Sequence, residues 1–288
     1  MLVATHSGPF HCDDVFAGAL LRTFIASDLS FLRTRDLARI AAADIAIDVG
    51  GEYDPARRRF DHHQREYQGT LSSAGMVLAW IEREGRIDAA LAQKLRAEWV
   101  EYIDAVDIGK RKPDGDVPCL PSVVGALCEQ AHTPAEFDEG YLEAVRFCTA
   151  ILNGLRISHQ RTEEARAAVA AAMARAVAED SRVMVFDQHY KWKRAYFDQG
   201  GAEHPTDYVL LPDGERWQLL AIPPTHGSFD KKRPLPEAWA GLVDDALSKV
   251  VGVAGAKFCH KNLFIAVFDT QAAALDAVAK WGLGMRAS

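Results

Sequence analysis

No two cysteines in the 288 residues are spaced as CxxC, and the five that occur (Cys12, Cys119, Cys128, Cys148, Cys259) are odd in number and scattered. That excludes a disulfide framework and a structural zinc knot, and a reducing, cytoplasmic setting fits. No apolar run approaches the roughly 20 residues of a membrane span. The opening MLVATHSGPFHCDD turns polar too soon for a secretion signal, so neither a signal nor a span is expected. Positive charge is in deficit, with 33 Lys and Arg against 40 Asp and Glu (net −7), which argues against a protein that coats long nucleic acid. Internal repeats are missing, and the alanine-rich RTEEARAAVAAAMARAVAE carries enough charge to be a plain surface helix. What is present is 49% hydrophobic, 25% charged and 9% aromatic, an ordinary globular composition long enough for two domains.

In the first half, short apolar runs (MLVAT, LSFLRT, DIAIDVG) alternate with amphipathic stretches (DVFAGALLRTFIA, DLARIAAA), the pattern of a parallel sheet covered by helices. SSAGMVLAWIEREG and DAALAQKLRAEWVEYIDAVD read as helices, the first capped by Ser72 or Ser73. KRKPDGDVPCLPS reads as a loop, and 136–179 as almost wholly helical. Beyond it RVMVFDQ, DYVLLPD, WQLLAIPP and LFIAVFD read as strands, with PEAWAGLVDDALSK and TQAAALDAVAKWG as helices. The expected organisation is an α/β parallel-sheet domain over 1–157, a linker helix over 158–180 and a smaller α+β domain over 181–288.

Three strand ends of the first domain carry metal-ligand chemistry: His6, His11, Asp13 and Asp14 in THSGPFHCDD, Asp48 in IDVGG, and Asp61, His62 and His63 in FDHH. Carboxyl ends of strands line the ligand crevice of open α/β sheets, so these groups are expected to converge. Asp48 is the sharpest, because a carboxylate closing a buried strand needs a hydrogen bond or a metal. Glu101, Asp104 and Asp107 follow at three-residue spacing on a helical pattern. A mixed histidine and carboxylate set favours Mn²⁺ or Mg²⁺, with ligands enough for two ions. Cys12 reads as a packed thiol. Arg33, Arg35, Gln64 and Arg65 are placed to bind a phosphate.

The ordered set THSGPFHCDD, RTRD, DVGGEYDPARRRFDHHQR, SSAG, EYIDAVDIG and GSFDKKRPLPEAWAGL resembles the MYG exonuclease-like family, also described as metal-dependent protein hydrolases, within the DHH phosphoesterase superfamily. The resemblance spans nearly the whole chain. It implies a Rossmann-like DHH domain with a smaller domain across a cleft, and two-metal phosphoester hydrolysis, with family members acting as 3′-to-5′ RNA exonucleases. It places His6, His11 and Asp13 in the first motif, Asp48 in the second, and Asp61, His62 and His63 in the third, while Asp104 and Asp107 compete for the fourth. In the superfamily the first histidine of the pair ligates metal and the second faces the scissile phosphate, so His63, with Asp48 and Asp61, is assigned to catalysis. His11 stands where the superfamily commonly has aspartate.

Ser73, Lys193, Arg233 and His260 complete the expected substrate contacts, beside Lys231 and Lys232. In CHKNLFIAVFDT, His260 matches the family, but Leu263, Ala266 and Val267 stand where glycines are expected. Glycines there would let a backbone approach a ligand, which side chains obstruct. The expected function is hydrolysis of a phosphodiester in short or single-stranded RNA. Two alternatives are a phosphatase of a small ester or dinucleotide, and a metal-stabilised binding protein. A homodimer is compatible with all three, and no membrane partner is expected.

Overall fold

The apolar runs at Leu2–Thr5 (β1), Ser30–Arg33 (β2) and Ile45–Ile47 (β3) are too short for anything but strands. In the computed structural model, which describes residues 1–285, they form one sheet with the short pair Tyr53–Asp54 (β4) and Arg59–Phe60 (β5), in the order β2-β1-β3-β5-β4. Four strands are parallel and β4 is antiparallel to β5. Successive strands therefore depart to opposite sides of β1, which makes the gap between the ends of β1 and β3 the topological switch point where such sheets bind ligands.

Helices α1 (Cys12–Phe24), α2 (Leu37–Ala41) and α3 (Ser73–Arg83) belong to this unit, as does the run α4 (Ala89–Leu95) to α5 (Glu101–Asp107), which contains a π turn over Arg96–Val100. Helix α6 (Leu120–Cys128) closes it. Its core joins Val3, Ile45, Ile47 and Phe60 of the sheet to Phe16 and Leu20 of α1, Val77 and Ile81 of α3, and Tyr141 and Val145 of the next helix.

That helix, α7 (Pro134–Ala178), runs unbroken through the division of the chain into two compact units, Met1–Ser158 and His159–Ser288. Its second half supplies Val169, Ala172, Met173 and Ala176 to an apolar cluster with Met184, Trp192 and Leu211, so the stretch 158–180 is packed as part of the second unit. The second sheet comprises β6 (Val183–Val185), β7 (Tyr208–Asp213), β8 (Arg216–Ala221), β9 (Ala256–Cys259) and β10 (Ile265–Phe268). Their order is β6-β7-β8-β10-β9, with only β6 and β7 parallel. Helices α8 (Trp192–Asp198), α9 (Asp244–Val251) and α10 (Gln271–Lys280) complete it. Some details differ from expectation. PEAWAGLVDDALSK is not one helix: a single 3₁₀ turn, Glu237–Trp239, is separated from α9 by Gly241 at φ +70°. Strand β9 was not expected, because AKFC is too short to show a period. No helix among the described residues is long and apolar enough to cross a membrane.

Candidate metal centre

Three of the four parallel strands, β1, β3 and β5, deliver residues from just past their carboxyl ends to the same place. His6 follows β1 and Asp48 follows β3, with His6 Nε2 3.3 Å from Asp48 Oδ2 and 3.4 Å from Asp14 Oδ2. His62, just past β5, puts Nδ1 3.6 Å from Asp48 Oδ1 and Nε2 2.9 Å from Asp107 Oδ2 at the end of α5. Asp48 thus turns one oxygen to His6 and the other to His62. It can do so because its backbone is left-handed (φ +53°), a conformation aspartate tolerates better than most residues. Gly50 and Gly51 continue the turn at φ +102° and +66°, and the Gly51 amide donates to Asp61 Oδ2 at 2.6 Å.

Ser73 opens α3 and ties these strands together: its hydroxyl donates to the Phe60 carbonyl at 2.8 Å and to Asp48 Oδ1 at 3.3 Å, and its amide to Asp13 Oδ2 at 3.3 Å. It was expected at the substrate, and these bonds place it among the carboxylates. Asp14, a candidate ligand in the sequence, is in none of the cation-sized groups; it accepts from the His11 amide (3.0 Å) and the Thr5 hydroxyl (3.3 Å) beside His6, an orienting role.

Three overlapping groups have ligand atoms close enough to hold a cation: His6, His11 and Asp48; His11, Asp13 and Asp107; and Asp48, Asp61, His62 and His63. Asp104 is in none of them. Its Oδ1 accepts from the Ser72 amide (3.0 Å), the Ser72 hydroxyl (2.6 Å) and the Gly75 amide (3.1 Å), so it caps the start of α3 and Asp107 is the one that reaches the cluster. This also explains SSAG, since a Cβ on Gly75 would lie 2.3 Å from Asp104 Oδ2. Glu101 is exposed and joins neither.

The donor set fits a divalent cation. His6 Nε2, Asp13 Oδ1 and His62 Nδ1 are buried without a well-formed hydrogen bond, the two imidazole nitrogens lying 3.3 and 3.6 Å from the carboxylate oxygens of Asp48. A cation satisfies such atoms where another buried donor cannot. The Ser7 carbonyl lies 3.4 Å from His6 Nδ1 and accepts a hydrogen bond from it in the tautomer that leaves Nε2 free to ligate.

His62 and His63 do not diverge as strand or helix neighbours would. They lie outside both kinds of element, with ring centroids 4.3 Å apart and planes at 27°. Exposure separates them instead: 11% of the His62 side chain is accessible against 61% of His63. His63 Nδ1 sits 2.9 Å from Asp61 Oδ1, and this hydrogen bond, with the Asp48 and Asp61 charges, outweighs partial burial and raises its pKa to about 9.

The other expected contacts divide. Arg35 is exposed at the rim, Nη2 3.4 Å from His6 Nδ1. Arg33 is turned inward: its side chain is 2% exposed, bonds to the Gly8 carbonyl and Asp138, and lies over Tyr141, so it is unsuited to hold a phosphate. Gln64 has a buried Oε1 without a partner, and Arg65 is exposed. Lys193, Arg233 and His260 belong to the second unit. Lys193 is exposed on α8, Arg233 donates to the Met285 carbonyl, and His260 packs on Phe264 at 4.5 Å between centroids. Leu263, standing for an expected glycine, adopts φ +58°, while Ala266 and Val267 lie in β10. Lys232 is committed to Tyr196, Gly201 and His204. Cys12 is a packed thiol whose pKa burial pushes well up.

Without a cation the cluster is costly. Burial raises Asp14 to about 7 and Asp13 well above the usual range, the latter also through Asp48 and Asp107. The folded chain then holds protons that the unfolded chain has released above pH 3.8, so folding stability falls as pH rises through about 7. In EDTA, calorimetric melts are expected to show a lower Tm near pH 8 than near pH 5.5, by roughly 2–4 °C per kcal/mol. Saturating Mn²⁺ should reverse the slope, since protons compete with the ion. A Tm in EDTA that rises with pH over this range would count against the buried cluster.

The family model for MYG1 exonucleases, described as uncharacterised protein family UPF0160, matches residues 2–281. The MYG1 protein of Chlamydia muridarum is 34% identical over 278 residues, covering 96% of this chain and 94% of its own. Human MYG1 exonuclease is 32% identical over 314 residues, covering 95% and 84%. Among solved structures, RecJ from Thermus thermophilus with Mn²⁺ aligns at 13% identity and a TM-score of 0.28 over 96% of this chain and 51% of that one, so the chain spans about half its length and the likeness is too distant to transfer any role. With the match to the family model running almost end to end, the chain belongs to the MYG1 family.

Proposed function

We propose that the protein is a metal-dependent phosphodiester hydrolase, a 3′-to-5′ exonuclease acting on short or single-stranded RNA with two divalent ions, Mn²⁺ or Mg²⁺. The observation that carries this is Asp48, whose two oxygens face different imidazoles in a buried carboxylate cluster. That is the disposition of a carboxylate shared by two cations. Human, rat and mouse relatives bear the name exonuclease, which supports a nucleic-acid substrate.

His6, His11, Asp13, Asp48, His62 and Asp107 would hold the ions. When bound, the ions would acidify a water and neutralise charge developing on phosphate oxygens. The chain does the rest. Asp61 accepts from His63 Nδ1 and holds the exposed ring in place to donate to a phosphate or leaving-group oxygen. Arg35 offers a guanidinium at the rim. Ser73 and Gly51 fix the carboxylates, so little reorganisation remains for the reaction. All five cysteines are free thiols, in keeping with a reducing, cytoplasmic setting.

A hydrolysis screen of short RNA, short DNA, cyclic dinucleotides and mononucleotides with Mn²⁺ tests this. Short RNA is expected to be shortened from its 3′ end and the activity to vanish in EDTA. Release of inorganic phosphate from mononucleotides, with RNA untouched, would instead make the protein a phosphatase; no turnover on any substrate would leave a binding protein.

A further inference from the structure

Beside the metal cluster, within the first unit, lies a cavity of about 310 Å³. Its walls are apolar: Phe10, Val106, Pro113, Pro121 and Gly125. Its polar members include His11 and Asp107, which form one of the cation-sized groups with Asp13. A molecule whose phosphate sits at the cluster therefore has its neighbouring group at the cavity mouth. Ligand pockets run from about 300 Å³ upward, so this one has room for a single ring system and not for a stretch of chain.

Gly125 is the second observation. It lies within α6, where glycine destabilises a helix relative to alanine. Its backbone is not left-handed, and an added Cβ would meet no atom within 4 Å, so neither turn geometry nor crowding requires glycine there. What its missing side chain provides is the space.

Resting on the hydrolase reading above, we propose that this cavity receives the nucleobase of the nucleotide whose phosphodiester is cut. One base fits, which matches removal of nucleotides singly from an end. The walls enclose a ring by apolar contact with Val106, Pro113, Pro121 and Gly125 and do not read its edge, so all four bases are accepted with little discrimination.

The test is calorimetric binding, in Mn²⁺, of the phosphonate analogues of AMP and of ribose 5-phosphate, in which CH₂ replaces the ester oxygen so that nothing is hydrolysed. The full-length protein is expected to bind the AMP analogue about tenfold or more tightly than the baseless one, and the analogues of the other three nucleotides within a few-fold of it. Gly125→Leu should erase the advantage and leave the ribose analogue's affinity unchanged, with Gly125→Ala intermediate; both variants gain helix propensity and should melt no lower than the parent. An advantage that survives in folded Gly125→Leu, or a parent protein that binds both analogues equally, overturns the cavity assignment alone. If neither analogue binds and no phosphodiester is cleaved, the hydrolase reading falls with it.

Discussion

Replacing Asp48 by alanine is expected to abolish phosphodiester hydrolysis, lowering turnover by ~10³-fold or more, and to remove Mn²⁺ binding. Asp48 Oδ2 faces His6, and Oδ1 faces His62, His63 and the Ser73 hydroxyl, so one truncation strips a ligand from both proposed ion positions. Alanine also accepts the φ of +53° less readily, which confuses loss of function with loss of fold. Asp48→Asn resolves this, since asparagine tolerates the left-handed backbone and keeps an oxygen for Ser73 while losing the charge. A cooperative melt of Asp48→Asn in EDTA establishes that the variant is folded. Cys12→Ser is the counterpart: its thiol is buried and held protonated, so turnover should stay within a few-fold. Full activity in Asp48→Asn, with loss in a folded Cys12→Ser protein, would replace metal catalysis by cysteine catalysis.

The paired histidines should separate on metal titration. His62→Ala is expected to lose an ion, because the ring stands between Asp48 and Asp107 and is largely buried. His63→Ala is expected to keep the metal stoichiometry and lose ~10²–10³-fold in turnover, the effect of removing a donor that acts mainly in the transition state. Mostly exposed and with Nδ1 bonded to Asp61, His63 turns its free edge to solvent and is better suited to donate to a phosphate than the largely buried His62. Calorimetry on both variants decides the matter: an ion lost from His63→Ala, or undiminished turnover in it, would reverse the assignment.

The sequence by itself determined which residues are candidate ligands and at which strand ends they stand. That information is local: short apolar runs mark strands, and a polar residue closing such a run lies at the edge of a parallel sheet, so convergence of His6, Asp48 and His62 follows from order alone. Only tertiary structure placed Asp107, and not Asp104, beside the other candidate ligands. The two stand one turn apart on a run with a π turn behind them, and which meets the strands depends on how α5 packs against α3. It also buried Arg33 within its own unit, stacked the two adjacent histidines, and drew the linker stretch of α7 into a core. The cavity at Gly125 was least legible of all, because a vacancy is made by side chains that distant segments fail to supply, and no local period in a sequence encodes what is missing.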